Sequence, residues 1–302
     1  MKVTVTGATG LIGRRLVATL TTRGDEVTVL SRDPGAAGSR LGVGAVAWDP
    51  GAGSAPAGAL AGRDGVVHLA GENVAQRWSA EAKRRIRESR EAGTRNLVSG
   101  LRSADPRPAV LVSSSAVGYY GPHGAEPVEE TAPPGSGFLA GVCQAWEAEA
   151  AAAEGLGMRV ARIRTGVVLD RSGGALAQML PPFRAGVGGP VAGGRHYMPW
   201  IHVDDVVGLI VAALDGADWT GAINATAPVP VTNKAFSKAL GRALGRPAVA
   251  PVPGFALRAL YGEMSEIVTT GQNAVPARAL ELGYDFAHPD LDEALRSALG
   301  KD

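Results

Sequence analysis

The chain has 302 residues, 30 Lys plus Arg against 29 Asp plus Glu for a formal net charge of +1, and 45% hydrophobic residues. That supports one large domain or two modest ones, and a charge near zero excludes a basic nucleic-acid arm or a polyacidic tail as the main business. The 42 glycines and 20 prolines follow no Gly-X-Y period and so belong to turns, and no stretch approaches the roughly 18 apolar residues of a membrane span.

The chain opens with alternating strand and helix patterns. KVTVTG (Lys2 to Gly7) reads as a strand, Leu11 to Arg23 as a helix with Leu16, Val17 and Leu20 on one side and Gly24 closing it, and EVTVLS (Glu26 to Ser31) as a second strand. This is a βαβ unit. Val43 to Ala47, Val66 to Gly71, Val110 to Val117 and Arg159 to Leu169 continue the series, each mostly apolar as parallel strands covered on both faces must be. Between the fourth and fifth strands, Ser79 can cap a long helix running to about Ser103. Its apolar stripe is Ile86, Gly93, Leu97 and Leu101, and Arg90 falls on that stripe, either snorkelling to water or serving a site. A second long helix spans about Gly137 to Glu154.

Beyond residue 170 the pattern breaks into loop material, including the Pro pair 181–182. Between the loops lie short helical stretches at Asp204 to Leu214, Asn233 to Leu244 and Leu291 to Leu299. The expected fold is α/β: a Rossmann doubly wound parallel sheet over residues 1–169, its core also using part of 200–225, and a smaller C-terminal substrate lobe over 170–302. The single cysteine, Cys143, and a strand-like rather than leader-like start point to a cytoplasmic protein.

TGATGLIG places Gly7, Gly10 and Gly13 at three-residue spacing between a strand and an amphipathic helix. Such a turn brings backbone close to a pyrophosphate, and the helix N-terminus supplies oriented N–H donors and about half a positive charge. Gly7, Thr9, Gly10, Leu11, Ile12 and Gly13 are therefore the expected phosphate cradle, with Leu69, Ala70 and Gly71 beside it. At the end of the second strand stand Ser31 and Arg32, with no Asp or Glu at the strand end to hold the ribose of NAD. A guanidinium there grips a 2′-phosphate, so NADP(H) is expected in preference to NAD(H).

With this cradle, the SSSAVGYYG segment after the fifth strand and WIHVDDVV (200 to 207), the sequence resembles the extended branch of the short-chain dehydrogenase/reductase superfamily. HLAGENV (68 to 74), SREAGTRNLV (89 to 98), FLAGVCQAWE (138 to 147) and the tail segment 262 to 286 are similar to its atypical "epimerase family" subgroup with a C-terminal domain of unassigned function. The resemblance implies a Rossmann core, NAD(P) binding and a C-terminal substrate lobe. It also exposes a departure. The superfamily's Tyr-x-x-x-Lys pair falls on Leu139 and Cys143, its upstream Ser is kept as Ser115 or Ser114, and Arg90 falls where an Asn would be.

A tyrosine of free pKa about 10 must be lowered two or three units to act near neutrality, and a neutral thiol cannot do this. The candidate catalytic residues are then Ser115, Arg90, Cys143 and Tyr120, with Tyr119 and Tyr120 alternatively an aromatic wall. Cys143 reads either as a plain buried helix cysteine or, if it lines the nicotinamide site beside Arg90, as a thiol of lowered pKa that alkylates selectively. The five histidines lack metal-binding spacing, so no metal is expected, and His68 reads as a satisfied core histidine.

The expected activity is an NADP(H)-dependent oxidoreductase or epimerase on a small polar or sugar-like molecule. The alternative is a non-catalytic NADP(H)-binding redox sensor. Neither nucleic acid nor membrane is an expected partner, and oligomeric state is not legible.

Overall fold

In the computed structural model, which describes residues 1–301, the apolar β-branched runs become parallel strands. Strands β1 (Lys2–Thr6), β2 (Glu26–Ser31), β3 (Gly44–Ala47), β4 (Gly65–His68), β5 (Val110–Ala116), β6 (Arg159–Thr165) and β7 (Gly221–Ala225) form one sheet. Their order is β7-β6-β5-β4-β1-β2-β3, every pairing parallel. The strand order reverses between β1 and β4, which puts the ligand crevice of a doubly wound sheet outside their carboxyl ends.

Helices α1 (Leu11–Thr22), α2 (Pro34–Leu41), α3 (Ala80–Arg102), α4 (Phe138–Ala151), α5 (Gly174–Arg184), α6 (Val203–Asp215) and α7 (Asn233–Leu244) surround and extend the sheet. On one face, Leu16 and Leu20 of α1 and Val206, Leu209 and Ile210 of α6 pack on Val3, Val5, Val112 and Ile163. On the other, Leu97, Val98 and Leu101 of α3 pack on Val66, Leu111 and Val160. Each such side chain, removed from water, stabilises the fold by about 1.5–3 kcal/mol. Ser79 caps α3, its side chain accepting the Ala82 N–H at 3.1 Å.

Two expectations are corrected, and one helix appears where none was read. The run Arg159 to Leu169 is not one strand: it breaks at Gly166, whose N–H donates to Ala225 O at 3.0 Å while the next amide, Val167, turns to Pro199 O at 2.7 Å. Beyond the break, Val167–Leu169 pairs with Trp200–His202 instead of the main sheet. Any Cβ at position 166 would overlap the Pro199 carbonyl oxygen. The Pro pair 181–182 is not loop. It lies in the last turn of α5, held helical by buried Leu176, Leu180 and Phe183. Finally, α2 forms on a segment with little periodicity because Asp33 caps it, accepting the Ala36 N–H at 2.9 Å.

A second core lies beyond the sheet, where Leu169, Leu176, Leu180, Trp200, Phe236, Leu240 and Leu295 pack together. The tail is tied back to the first core by Asp205 of α6, whose carboxylate accepts the Ala287 N–H at 2.7 Å and the His288 N–H at 3.1 Å. Among the described residues no helix is long and apolar enough to cross a membrane.

The strand switch gives a direct test. Gly166→Ala should lower unfolding free energy by about 2 kcal/mol in urea titrations, since the new methyl must displace the Pro199 carbonyl. An unchanged midpoint would show that the switch tolerates a side chain.

Candidate active site

The turn from β1 into α1 is built by backbone packed on backbone. Gly7 adopts φ +65°, and a Cβ there would stand 2.6 Å from the Leu69 carbonyl carbon and 2.7 Å from the Ala70 nitrogen. Gly13, one turn into α1, is pressed on the Gly7 carbonyl and Ala8, again leaving no room for a side chain. The N-cap of α1 is Gly10, no side chain caps it, and no acidic residue occupies the first turn. Its first amides therefore point outward without a partner from a capping side chain, with the helix dipole behind them. Thr9 and Gly10 are exposed at the lip and Leu11 and Ile12 half-buried.

At the end of β2, Ser31 Oγ donates to Asp33 O at 3.1 Å, and the Asp33 side chain turns back to cap α2. The one carboxylate near the strand end is thus occupied, while the Arg32 side chain is exposed and forms no ion pair among the described residues. Below the turn, His68 is fully buried between Thr6 Oγ1 at 2.7 Å and Thr94 Oγ1 at 3.0 Å. Burial, aided by the nearby Arg90 charge, pushes its pKa down to about 4, so it is a neutral core histidine.

The residues after β5 converge on a buried ion pair that sequence reasoning did not single out. Arg164 of β6 grips Glu147 of α4 in a bidentate pair, Nε to Oε1 and Nη2 to Oε2 both at 2.8 Å, with both side chains 5% exposed. Burial alone would pull the guanidinium pKa down, but the Glu147 bonds and charge outweigh it and hold it up. Ser115 Oγ donates to the same Glu147 Oε1 at 2.6 Å. Tyr120 OH donates to Asn224 Oδ1 at 2.7 Å and accepts from Arg164 Nη1 at 2.9 Å. The Tyr119 ring lies 3.5 Å over the guanidinium. The strand carries three arginines, Arg159, Arg162 and Arg164, so nothing in the sequence alone marked Arg164 as the buried one.

Ser115 and Tyr120 are therefore brought together, but inside this network. Tyr120 is fully buried and its pKa is pushed up to about 12, chiefly by burial. Tyr119 instead lines a charged cleft of about 680 Å³ at the sheet edge, shared with Glu129, Arg162, Arg164 and Arg278.

Arg90 does not snorkel to bulk water. Its guanidinium lies 5.0 Å over the Trp146 ring of α4, and Nη1 donates to Glu72 O at 2.9 Å and Ile86 O at 3.2 Å. A Cβ on Gly71, at the carboxyl end beyond β4, would stand 3.1 Å from its Cζ, so the charge sits directly under that backbone. Burial lowers its pKa, against the neighbouring Cys143 and Glu72. Leu139 and Cys143 stand over Gly118 after β5, where a Cβ would lie 3.6 and 3.9 Å from them. Of the two readings of Cys143, the structure has the buried helix cysteine and not the thiol of lowered pKa: burial and the Glu147 charge push it up to about 11, outweighing Arg90.

The sequence pattern of the NAD dependent epimerase/dehydratase family matches residues 3–225, and that of a domain of unknown function, DUF1731, matches residues 252–298. The chain is 43% identical to the chloroplastic epimerase family protein SDR39U1 homolog of Arabidopsis thaliana, over 99% of this chain and 87% of that one. A crystal structure of human epimerase family protein SDR39U1 (isoform 2) with NADPH is similar with a TM-score of 0.88 and 34% identity, covering 100% of both chains. A nucleoside-diphosphate sugar epimerase from Corynebacterium glutamicum gives a TM-score of 0.81 and 33% identity over 100% of this chain and 59% of that one.

Two outcomes follow from the buried network. Arg164→Met strands the Glu147 charge and should cost about 3–5 kcal/mol by denaturant unfolding, much of it restored by adding Glu147→Met; a single-variant loss near zero would contradict the pairing. Raising the thiol pKa from 9.0 to about 11 cuts the thiolate fraction about a hundredfold. Iodoacetamide should then label Cys143 at least that much more slowly in native than in unfolded protein.

Proposed function

The chain belongs to the NAD dependent epimerase/dehydratase family, and on that footing we propose that it is an NADP(H)-dependent oxidoreductase or epimerase of the short-chain dehydrogenase/reductase type, acting on a small polar or sugar-like substrate. The observation that carries the reading is the uncapped N-terminus of α1 above the Gly7–Gly13 turn, with a free arginine at the end of β2. Gly7, Thr9, Gly10, Leu11, Ile12 and Gly13 would hold the pyrophosphate, Ser31 and Arg32 the 2′-phosphate, and Leu69, Ala70 and Gly71 would line the groove. Asp33 is committed to α2, which leaves the strand end to a phosphate rather than to a bare ribose. The NADPH in the human relative's structure supports the same preference.

When bound, the nicotinamide supplies or accepts a hydride. The chain's own contribution differs from the superfamily pattern. Arg90, under the Gly71 backbone and beside Cys143 at the missing lysine's position, supplies a fixed positive charge, and a guanidinium holds charge without giving up its proton. Ser115 gives its only proton to Glu147 and so offers lone pairs. In that rotamer it suits a substrate hydroxyl, whose O–H it can accept, better than a carbonyl. Glu147 and Arg164 act as positioning residues that hold Ser115 in this state, and Tyr120 belongs with them.

The second reading, a non-catalytic NADP(H)-binding sensor, is favoured by one observation: the Ser115 and Tyr120 hydroxyls are engaged inside the protein and Cys143 is buried as a thiol. Turnover separates the two. NADP+ reduction with a panel of alcohols and sugar-like substrates, or NADPH oxidation with the matching aldehydes and ketones, lost in Ser115→Ala, would establish the enzyme. Binding of NADPH with no turnover on any of them would establish the sensor.

The cofactor assignment has its own test. NADPH should raise the melting temperature more than NADH at equal concentration, and Arg32→Ser should erase the difference. Equal shifts in the unmodified protein would remove the preference for NADP(H).

A further inference from the structure

The structure draws together three metal-ligand side chains that the sequence keeps far apart. His202 and Asp204 stand at the start of α6, and His288 in the segment that Asp205 straps to the core. Each offers one donor atom, and the three donor atoms lie within 4.8 Å of one another. His202 Nδ1 is 3.7 Å and His288 Nε2 is 3.8 Å from Asp204 Oδ2, and the two imidazole rings are 3.8 Å apart, centre to centre.

Proton bookkeeping shows what is unusual here. His288 Nδ1 lies 3.0 and 3.1 Å from the two Glu293 oxygens, and because a carboxylate only accepts, the ring proton sits on Nδ1. The other ring nitrogen, Nε2, faces Asp204. His202 Nδ1 accepts the Asp204 N–H at 3.2 Å and lies beside the same carboxylate. The second oxygen of Asp204 is held by Arg15 of α1 at 2.7 Å, which leaves Oδ2 as the third acceptor. The three donor atoms come together with no hydrogen bond among them.

We infer that His202, Asp204 and His288 form a binding site for one divalent metal ion of the zinc type. Two imidazole nitrogens and one carboxylate oxygen are a borderline donor set suited to Zn²⁺, with water completing the four positions. Ligands at about 2.0–2.1 Å in a tetrahedral centre lie roughly 3.3 Å apart, so Asp204 Oδ2 and the two imidazole nitrogens must close by about half an ångström while the stacked rings turn apart to let their nitrogens converge. The Glu293 carboxylate on the far nitrogen of His288 is the outer partner that orients a metal-bound imidazole.

The surrounding charge favours a cation. Asp204, Asp205 and Glu293 contribute three negative charges, with Asp170 beyond, against Arg15 and the positive N-terminal end of α6. The cost is one long capping bond, the Asp204 N–H to His202. Because α6 belongs to the first core and His288 to the tail, the ion would cross-link the two and reinforce the Asp205 strap. The inference stands on these residues alone and is independent of the cofactor assignment.

The test uses the full chain, stripped with a chelator and titrated with Co²⁺. One equivalent should bind with visible bands of a four-coordinate centre, be displaced by Zn²⁺, and raise the melting temperature. His288→Gln and Asp204→Asn should each lose that equivalent while keeping a cooperative melt, and His123→Gln should retain it. X-ray absorption of the unmodified zinc-loaded protein should show nitrogen and oxygen neighbours with imidazole scattering, a readout that does not depend on any variant folding. No saturable uptake by the unmodified chain, or uptake unaltered by both His288→Gln and Asp204→Asn, would overturn the site.

Discussion

The candidate site depends on how closely the backbone can fold on itself between β1 and α1. Gly7 lies against the carbonyl of Leu69 and the nitrogen of Ala70, and Gly13 against Gly7 and Ala8, at separations no side chain survives. That contact fixes the angle at which α1 leaves the sheet and leaves Gly10, without a side chain, at its N-cap. An anion placed there meets several N–H groups already oriented, so little ordering entropy remains to oppose binding. On the proposed reading, main chain makes the polyanion site and Arg32 at the next strand end supplies the selectivity.

The other half of the site follows a different logic. Where the superfamily resemblance would place a tyrosine and a lysine, α4 carries Leu139 and Cys143, and the polar machinery has moved deeper, to Glu147, Arg164, Ser115 and Tyr120. A buried bidentate ion pair is costly to desolvate and costlier to break, so its members form a rigid unit. Rigidity of this kind holds a hydroxyl in one orientation, which is a way to choose between donating and accepting a hydrogen bond.

Much of this was legible in the chain itself. The glycine spacing at 7, 10 and 13, the β-branched runs and the Ser79 cap each depend on local physics that the sequence carries directly. The switch at Gly166 was not legible, because RVARIRTGVVL reads as one strand until the Pro199 carbonyl, distant in sequence, claims the Val167 amide. For Cys143 the spacing left a buried helix cysteine and a reactive thiol beside Arg90 both open, and depth of burial and Glu147, neither visible from spacing, decide for the first. His202 and His288 lie 86 positions apart, and only the tail strap at Asp205 brings them together.

The central claim is that bare amides at the head of α1 bind a dinucleotide, and Gly10 tests it most directly. Its φ of −73° suits any residue, and a methyl there would lie 3.2 Å from the Gly7 carbonyl, a tolerable contact that still intrudes on the cradle. Fluorescence titration of NADPH against Gly10→Ala should show at least a tenfold loss of affinity, about 1.4 kcal/mol, with the unfolding temperature of the free protein unchanged. Undiminished affinity in that variant would place the nucleotide, if it binds at all, somewhere other than this turn.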